Sequence, residues 1–325
     1  MCSSMRADEL ASAPHIRPVR AEDKPAVLAF CQHSFEWGDY IEHVFDDWLS
    51  REGDFLAAEL DGRVVGIVRI AYLGHGDQAW FEGMRVDPAC RGRGVARALA
   101  RAEVAAARRR GCRVGRSMVA DHNVGGHAVS RFIGLQPILR HAHLLWRPGG
   151  RGDGEGSGGG GNGEGSEGGS GTAPRVVAVR NDAGDVARAW DLVQRASCNR
   201  SPDGTPGVLH GWVWEEATPD SLTMLANRGE LVTTQTWDAL AALNVQYQEA
   251  DAFVSAGDAA SAARFGVAAA NLAAERGWTD LVVVAPDEAA YLNALQAIGY
   301  DSRRVPGGRI GVYVIYEMNL EQGTG

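Results

Sequence analysis

Lysine is almost missing from this chain. Lys24 stands alone against 31 arginines, a bias that points to a high-G+C genome rather than to a mechanism. Cysteine is sparse too. The five residues Cys2, Cys31, Cys90, Cys112 and Cys198 are scattered, odd in number and without metal spacing. That excludes a disulfide scaffold and a zinc motif, and it fits a reduced cytoplasm. No apolar stretch approaches membrane-spanning length, and no apolar run flanks Cys2 as a lipoprotein or secretion signal would require. A membrane partner is therefore not expected. Neither is a nucleic-acid partner, because the one basic cluster, Arg108 to Arg110, is a single helix end. His141 and His143 alternate as strand residues do but have no third ligand nearby, so no metal is expected.

Glycine is abundant, and much of it is in one place. Residues 148–174 hold 14 glycines with Ser, Glu and Asp, and Ala173 is the only apolar residue. Such a segment cannot bury a core, and as a coil it spans roughly 25–30 Å. The sequence thus divides into a tail at 1–14, expected to be disordered, a domain at 15–147, a flexible linker at 148–174 and a second domain at 175–325. Net charge is +2 over 1–147, −3 over the linker and −8 over 175–325. The less acidic half is the one better suited to a polyanionic ligand.

The most informative stretch runs from Met84 to Ala96. A strand-like run ends at Val86 and Pro88 stops it. Arg91, Gly92, Arg93 and Gly94 form a loop, and an Ala-rich helix is expected over 95–110. Two glycines let backbone N–H groups approach a ligand, and the helix N-terminus adds unpaired donors and the positive end of a dipole. A pyrophosphate suits such a loop. The loop pattern also occurs at 147–152 and 151–156, where no helix can follow, so the strand–loop–helix context carries the signal.

Alternation and turn signals give the first half the order β-α-α-β-β-β-α-β-α-β-β. It includes a hairpin at Asp61-Gly62 and two final strands near 135–139 and 141–146. With the loop in that context, the first half resembles the GNAT superfamily of acyltransferases from end to end. The second half follows the same plan when Gly111 is set on Gly277. Counted back from there without gaps, 91–96 falls on 257–262, where both arginines and the key glycine are lost. The expected fold is therefore α/β (α+β): two tandem GNAT-like domains, each a mixed, mostly antiparallel sheet flanked by helices, the second degenerate.

The resemblance implies acetyl-CoA as cosubstrate. Arg91, Gly92, Arg93, Gly94, Val95 and Ala96 would hold the pyrophosphate. Met84, Arg85 and Val86, on a strand that splays from its neighbour in the family, would bind the pantetheine arm. Asn123 occupies the place of a family cofactor contact, and equally that of a helix N-cap. Glu82 lies among Trp80, Phe81 and Met84, where a carboxylate is costly unless partnered or at a cleft. It is the candidate general base, or else a partner of Arg69 or Arg85. The family's general-acid Tyr position holds Ser130. The stretch Phe35 to Tyr40 lies where GNAT domains build their acceptor pocket. Phe35, Trp37 and Tyr40, interleaved with Glu36 and Asp39, would suit a small cationic amine, or would simply pack the helices.

Gly38-Asp39-Tyr40-Ile41 with Trp48-Leu49, and the run Phe81 to Val86, are similar to histidine N-acetyltransferase-like proteins, which also pair a working first half with a degenerate second. The resulting expectation is a cytoplasmic N-acetyltransferase acting on a primary amine of an amino acid or other small molecule. An α-amine of pKa about 7.8 is about 14% neutral at pH 7, against well under 0.1% for a lysine side chain, which favours the former. Protein or peptide N-acetylation and an acetyl-CoA-binding regulator without turnover stay open beside it. The sequence carries no signature of an oligomeric state.

Overall fold

The computed structural model describes residues 13–32, 39–148, 173–246, 249–302, 304–305 and 309–321. It forms two compact units. Unit 1 comprises Met1–Pro137 with Tyr316–Gly325, and unit 2 comprises Ile138–Ile315.

In unit 1 the elements are β1 (His15–Pro18), α1 (Lys24–Cys31), α2 (Ile41–Ser50), β2 (Asp54–Leu60), β3 (Arg63–Leu73), β4 (Gln78–Val86), α3 (Val95–Arg110), β5 (Val114–Ala120), α4 (Val124–Phe132) and the start of β6 (Gln136–Trp146). β1 to β5 lie side by side in that order. The pairs are antiparallel except β4–β5, which is parallel and joined through α3. The β2–β3 hairpin turns at Asp61 and Gly62 with φ of 52° and 74°, as a two-residue turn between right-twisted strands requires. α2 buries Ile41, Phe45 and Trp48 at helical spacing, and Phe45 and Trp48 both meet Phe55 edge-on at 5.4 Å. Each such side chain contributes about 1.5–3 kcal/mol by burial. α3 buries Val95, Leu99, Ala100, Val104, Ala106 and Ala107, and among them one acid, Glu103.

Unit 2 continues β6 and adds β7 (Val176–Ala178), α5 (Ala183–Arg195), β8 (Gly207–His210), β9 (Val213–Glu216), α6 (Pro219–Asn227), β10 (Leu231–Thr234), β11 (Leu240–Gln246) and β12 (Glu249–Ala256). α7 (Ala259–Arg276), β13 (Asp280–Pro286), α8 (Ala289–Ala297), the short β14 (Asp301–Ser302) and β15 (Arg304–Val305), and β16 (Arg309–Asn319) follow. The run β12-α7-β13-α8 repeats β4-α3-β5-α4, again with a parallel strand pair. His141 and His143 are buried in this unit. His141 Nε2 bonds Asn199, and burial lowers the ring to about 4. His143 stacks on Tyr313 at 4.3 Å.

Two expectations change. The strands near 135–139 and 141–146 are one strand, β6, and most of it pairs with β13 in unit 2. The end of β16, from Tyr316, belongs instead to unit 1, where Leu320 N donates to Arg113 O at 2.8 Å. The division at 147 follows chain order, but the compact units do not. A strand's own sequence fixes its pleat and not its partner, so the assignment of these segments is decided by tertiary pairing. Among the described residues, no helix is long and apolar enough to cross a membrane.

Candidate active site

The loop between β4 and α3 contains a short turn whose cap is Asp87, accepting from Ala89 N at 2.9 Å. Gly92 and Gly94 follow with φ of +77° and +80°, where L side chains are strained, and an added Cβ would meet open space at both. Gly94 caps α3 without any side-chain hydrogen bond, and its carbonyl accepts the first helical bond, from Ala98 N at 3.0 Å. The amides of Val95, Ala96 and Arg97 precede that bond and open toward the loop, where an anion would complete them. Arg91 and Arg93 are exposed beside it, and the nearest carboxylate to Arg93 is Asp61, at 3.8 Å. This donor set fits a pyrophosphate.

Beside the loop the sheet opens. β4 and β5 pair from Gln78↔Val114 to Phe81↔Ser117 and no further. On its other edge β4 continues, with Arg85 opposite Ile67 and Val86 opposite Gly66, after an irregularity that places one extra residue in β4. Gly83 provides that bulge with φ +65°, and a Cβ there would lie 2.4 Å from the Trp48 ring. The β4–β5 ladder therefore ends before Met84, Arg85 and Val86. The Met84 carbonyl is taken by Arg85 Nη1 at 3.0 Å. Asn123 caps α4, accepting from Gly126 N at 2.9 Å. Its oxygen is thus engaged in the N-cap.

Glu82 sits where the two strands part. Its side chain is 22% exposed, and its Oε1 accepts from Arg69 Nη1 at 2.5 Å. Burial pushes the carboxyl above the ordinary glutamate value, against the charge and hydrogen bond of Arg69 and, more weakly, the charge of Arg51. Arg69 is 5% exposed, donates to Glu52 O at 3.1 Å and lies over the Trp48 ring at 5.4 Å. Arg69 thus holds one of the two carboxylate oxygens. Of the two readings of Glu82 in the sequence, the ion pair is with Arg69 and not with Arg85.

Arg85 turns elsewhere, gripping Asp39 with Nε at 2.7 Å and Nη2 at 3.1 Å. Asp39 was expected to supply negative charge for a cationic amine. It is instead neutralised by this bidentate pair, with a side chain only 4% exposed. Tyr40 is 37% exposed, edge-on to Trp48 at 6.1 Å and under the Arg85 guanidinium at 5.1 Å. Phe35, Trp37 and Glu36 lie outside the described residues. Ser130 is buried at 4% and Cys90 at 7%.

Sequence reasoning missed Trp48 as the ring seated on the bulge and Arg69 as a buried cation with two fixed contacts. The isolated Gly83 inside a strand pattern was the available signal for the bulge.

Unit 2 shows what a closed version looks like. Asp258 caps α7, its own carboxylate accepting from Ser261 N at 2.7 Å, and that bond lowers its pKa. Tyr291, 4% exposed, donates to Gly257 O at 2.7 Å beside Cys198 Sγ at 3.5 Å. α7 spans 18 residues and α3 spans 16. The gap-free count from Gly277 was therefore two residues out, and Gly94 corresponds to Asp258.

Residues 23–133 match the model of the acetyltransferase (GNAT) family. No curated protein sequence matches the chain. Among solved structures, the chain is similar to a GCN5-related N-acetyltransferase from Sphaerobacter thermophilus. Identity is 12% over 94% of this chain and 96% of that one, with a TM-score of 0.61. It is also similar to a tandem GNAT protein from the clavulanic acid biosynthesis pathway, at 13% identity over 96% and 100%, with a TM-score of 0.57. The fold is that of these solved structures, and the family match covers residues 23–133.

Proposed function

We propose that unit 1 transfers an acetyl group from acetyl-CoA to the primary amine of a small molecule, with Glu82 as general base. The observation that carries this reading is the position of Glu82. It is a half-buried carboxylate of raised pKa, one oxygen fixed by Arg69, at the point where β4 parts from β5. The amides of Val95, Ala96 and Arg97, with Arg91 and Arg93, would hold the pyrophosphate. The end of β4 at Met84, Arg85 and Val86, beyond its ladder with β5, would orient the pantetheine arm. The thioester supplies an activated acyl carbon. The amine nitrogen attacks it, the carbon–sulfur bond breaks, and the thiolate leaves. Glu82 takes the ammonium proton, directly or through one water. A thiol of pKa about 8.5 leaves without an acid, so the Ser130 position is not an obstacle.

The likeness to histidine N-acetyltransferase-like proteins rests on the short runs around Asp39, Trp48 and Glu82, and it leaves the acceptor at the level of a small amine. A regulator that binds acetyl-CoA without turnover is the second reading, favoured by the ion pair that occupies Glu82 Oε1. A screen of amines with acetyl-CoA, following free CoA, separates the two. Release of CoA with an acetylated amine supports the catalyst, and binding without release supports the regulator.

A further inference from the structure

The far half of α3 borders a second recess in unit 1, away from the cradle. It is a cavity of about 500 Å³ between the later turns of α3, the end of α4 and Met318 of β16. A recess of that size takes a small organic ligand. Its apolar lining includes Val104, 8% exposed, and the half-buried Phe132, Ile133 and Met318. Its polar lining is arginine alone, from Arg101, Arg108 and Arg109, and among the described residues no carboxylate lines it. Val104 lies about 14 Å along the helix from the cradle end at Val95.

The protein does not balance this charge itself. Arg101 and Arg109 are exposed, and neither forms an ion pair among the described residues. Glu103, the one acid of α3, is 2% exposed on the buried side of the helix, and α4 contains no acid. Arg97 and Arg101, one turn apart, both lie over the Phe132 ring at 4.9 Å, so two like charges stand beside one ring. Cations in a last turn offset the negative end of the helix dipole, which accounts for Arg108 to Arg110. It does not account for Arg101, more than two turns before the end of α3.

Spacing decides what fits. Arg101 and Arg109 border one cavity and are about 12 Å apart along α3. Between them in the helix lie Val104 and Ala105, and α4 adds Ile133 to the wall. We propose that this cavity binds an elongated dianion with an apolar middle, a medium-chain dicarboxylate, with one carboxylate at Arg101 and the other at Arg109. Each guanidinium is a planar fork that matches a carboxylate, and the apolar wall takes the methylene chain. A monocarboxylate gains one of the two ion pairs, and a diamine gains neither. The site is independent of the transferase reading, because none of its lining residues belongs to the cradle or to the Glu82 pair.

The test uses the full chain at low ionic strength, with suberate as the probe and octanoate, succinate and octanediamine beside it. Calorimetry should show suberate bound at least about tenfold more tightly than octanoate, as one further charge-assisted pair provides. Succinate, too short for both arginines, and octanediamine, of the wrong charge, should not compete. Arg101→Gln and Arg109→Gln should each bring suberate to within about threefold of octanoate, with acetyl-CoA affinity and melting temperature those of the native chain. Arg110→Gln, at the same helix end but outside the lining, should leave suberate affinity unchanged. Equal binding of suberate and octanoate overturns the proposal, and so does no binding of suberate. An equal loss in Arg110→Gln overturns it as well, because the helix end is then a diffuse basic surface. Displacement of suberate by acetyl-CoA would assign the cavity to the cofactor and overturn it too.

Discussion

Arg69 and Glu82 face one another across β3 and β4, and Arg69 Nη1 donates to Glu82 Oε1 at 2.5 Å. The pair sets one oxygen of the acid and leaves the other at the opening of the sheet. Burial still outweighs the arginine, so the carboxyl titrates above the ordinary glutamate value. An acid fixed in place with a raised pKa is what the proposed role of Glu82 as general base calls for.

Glu82→Gln keeps the shape and can still accept from Arg69, but it cannot take a proton. Turnover should fall by roughly 10²–10⁴ at neutral pH while acetyl-CoA affinity holds within a few-fold. Raising the pH should restore part of the loss, because the free amine then deprotonates unaided. Since Arg69 loses its counter-charge, the melting temperature falls in either case and does not discriminate. A rate loss that is the same at every pH would reject the base assignment.

The cradle should respond to charge and to backbone strain. Gly94→Asp or Arg93→Glu should abolish acetyl-CoA binding, since each sets negative charge against the pyrophosphate. Gly94→Ala should weaken it as well, because φ of +80° costs an L residue about 1–2 kcal/mol and the loop relaxes away. Calorimetry with the folded variants measures this directly, and unchanged affinity would remove the loop from the site.

The full chain should bind one acetyl-CoA, and Gly94→Asp should bind none. In unit 2 the Asp258 carboxylate already occupies the position an anion would take at α7, and Tyr291 closes over Gly257. A fitted stoichiometry of two, or binding that persists in Gly94→Asp, would show that unit 2 holds a site. The intact chain is the proper material, because residues 316–321 belong to unit 1 and a fragment ending at 147 omits them.

Glu103 should make the fold less stable as pH rises. It is 2% exposed on the buried face of α3, its Oε2 has no hydrogen-bond partner among the described residues, and burial raises its pKa well above the ordinary value. A carboxyl whose folded pKa exceeds its unfolded value favours the folded state fully below the unfolded pKa, and that contribution is lost as pH rises through the folded value. The slope reaches at most about 1.4 kcal/mol per pH unit. Glu103→Met removes the slope, so it should raise the melting temperature more at pH 8 than at pH 5, by about 2–4 °C for each kcal/mol recovered. An equal effect at both pH values would place a charged partner beside Glu103.

The sequence by itself determined what depends on neighbours along the chain. The Asp61-Gly62 turn, the α2 face of Ile41, Phe45 and Trp48, and the glycine loop before α3 are local, set by backbone freedom and by periodicity. Asp258 falls within the counted stretch 257–262 in the sequence too, although a helix two residues longer aligns it with Gly94 rather than with Gly92. Tertiary structure alone decided the pairings. Nothing near Asp39 in sequence says that Arg85, 46 residues away, will neutralise it. Nothing near Glu82 chooses Arg69 over Arg85, or seats Trp48 on Gly83. The exchange of β6 and the end of β16 between units is of the same kind. Backbone turns and helix faces are fixed by interactions within a few residues, whereas ion pairs and strand partners depend on which distant groups the closed sheet brings together, and a linear pattern holds no record of that distance.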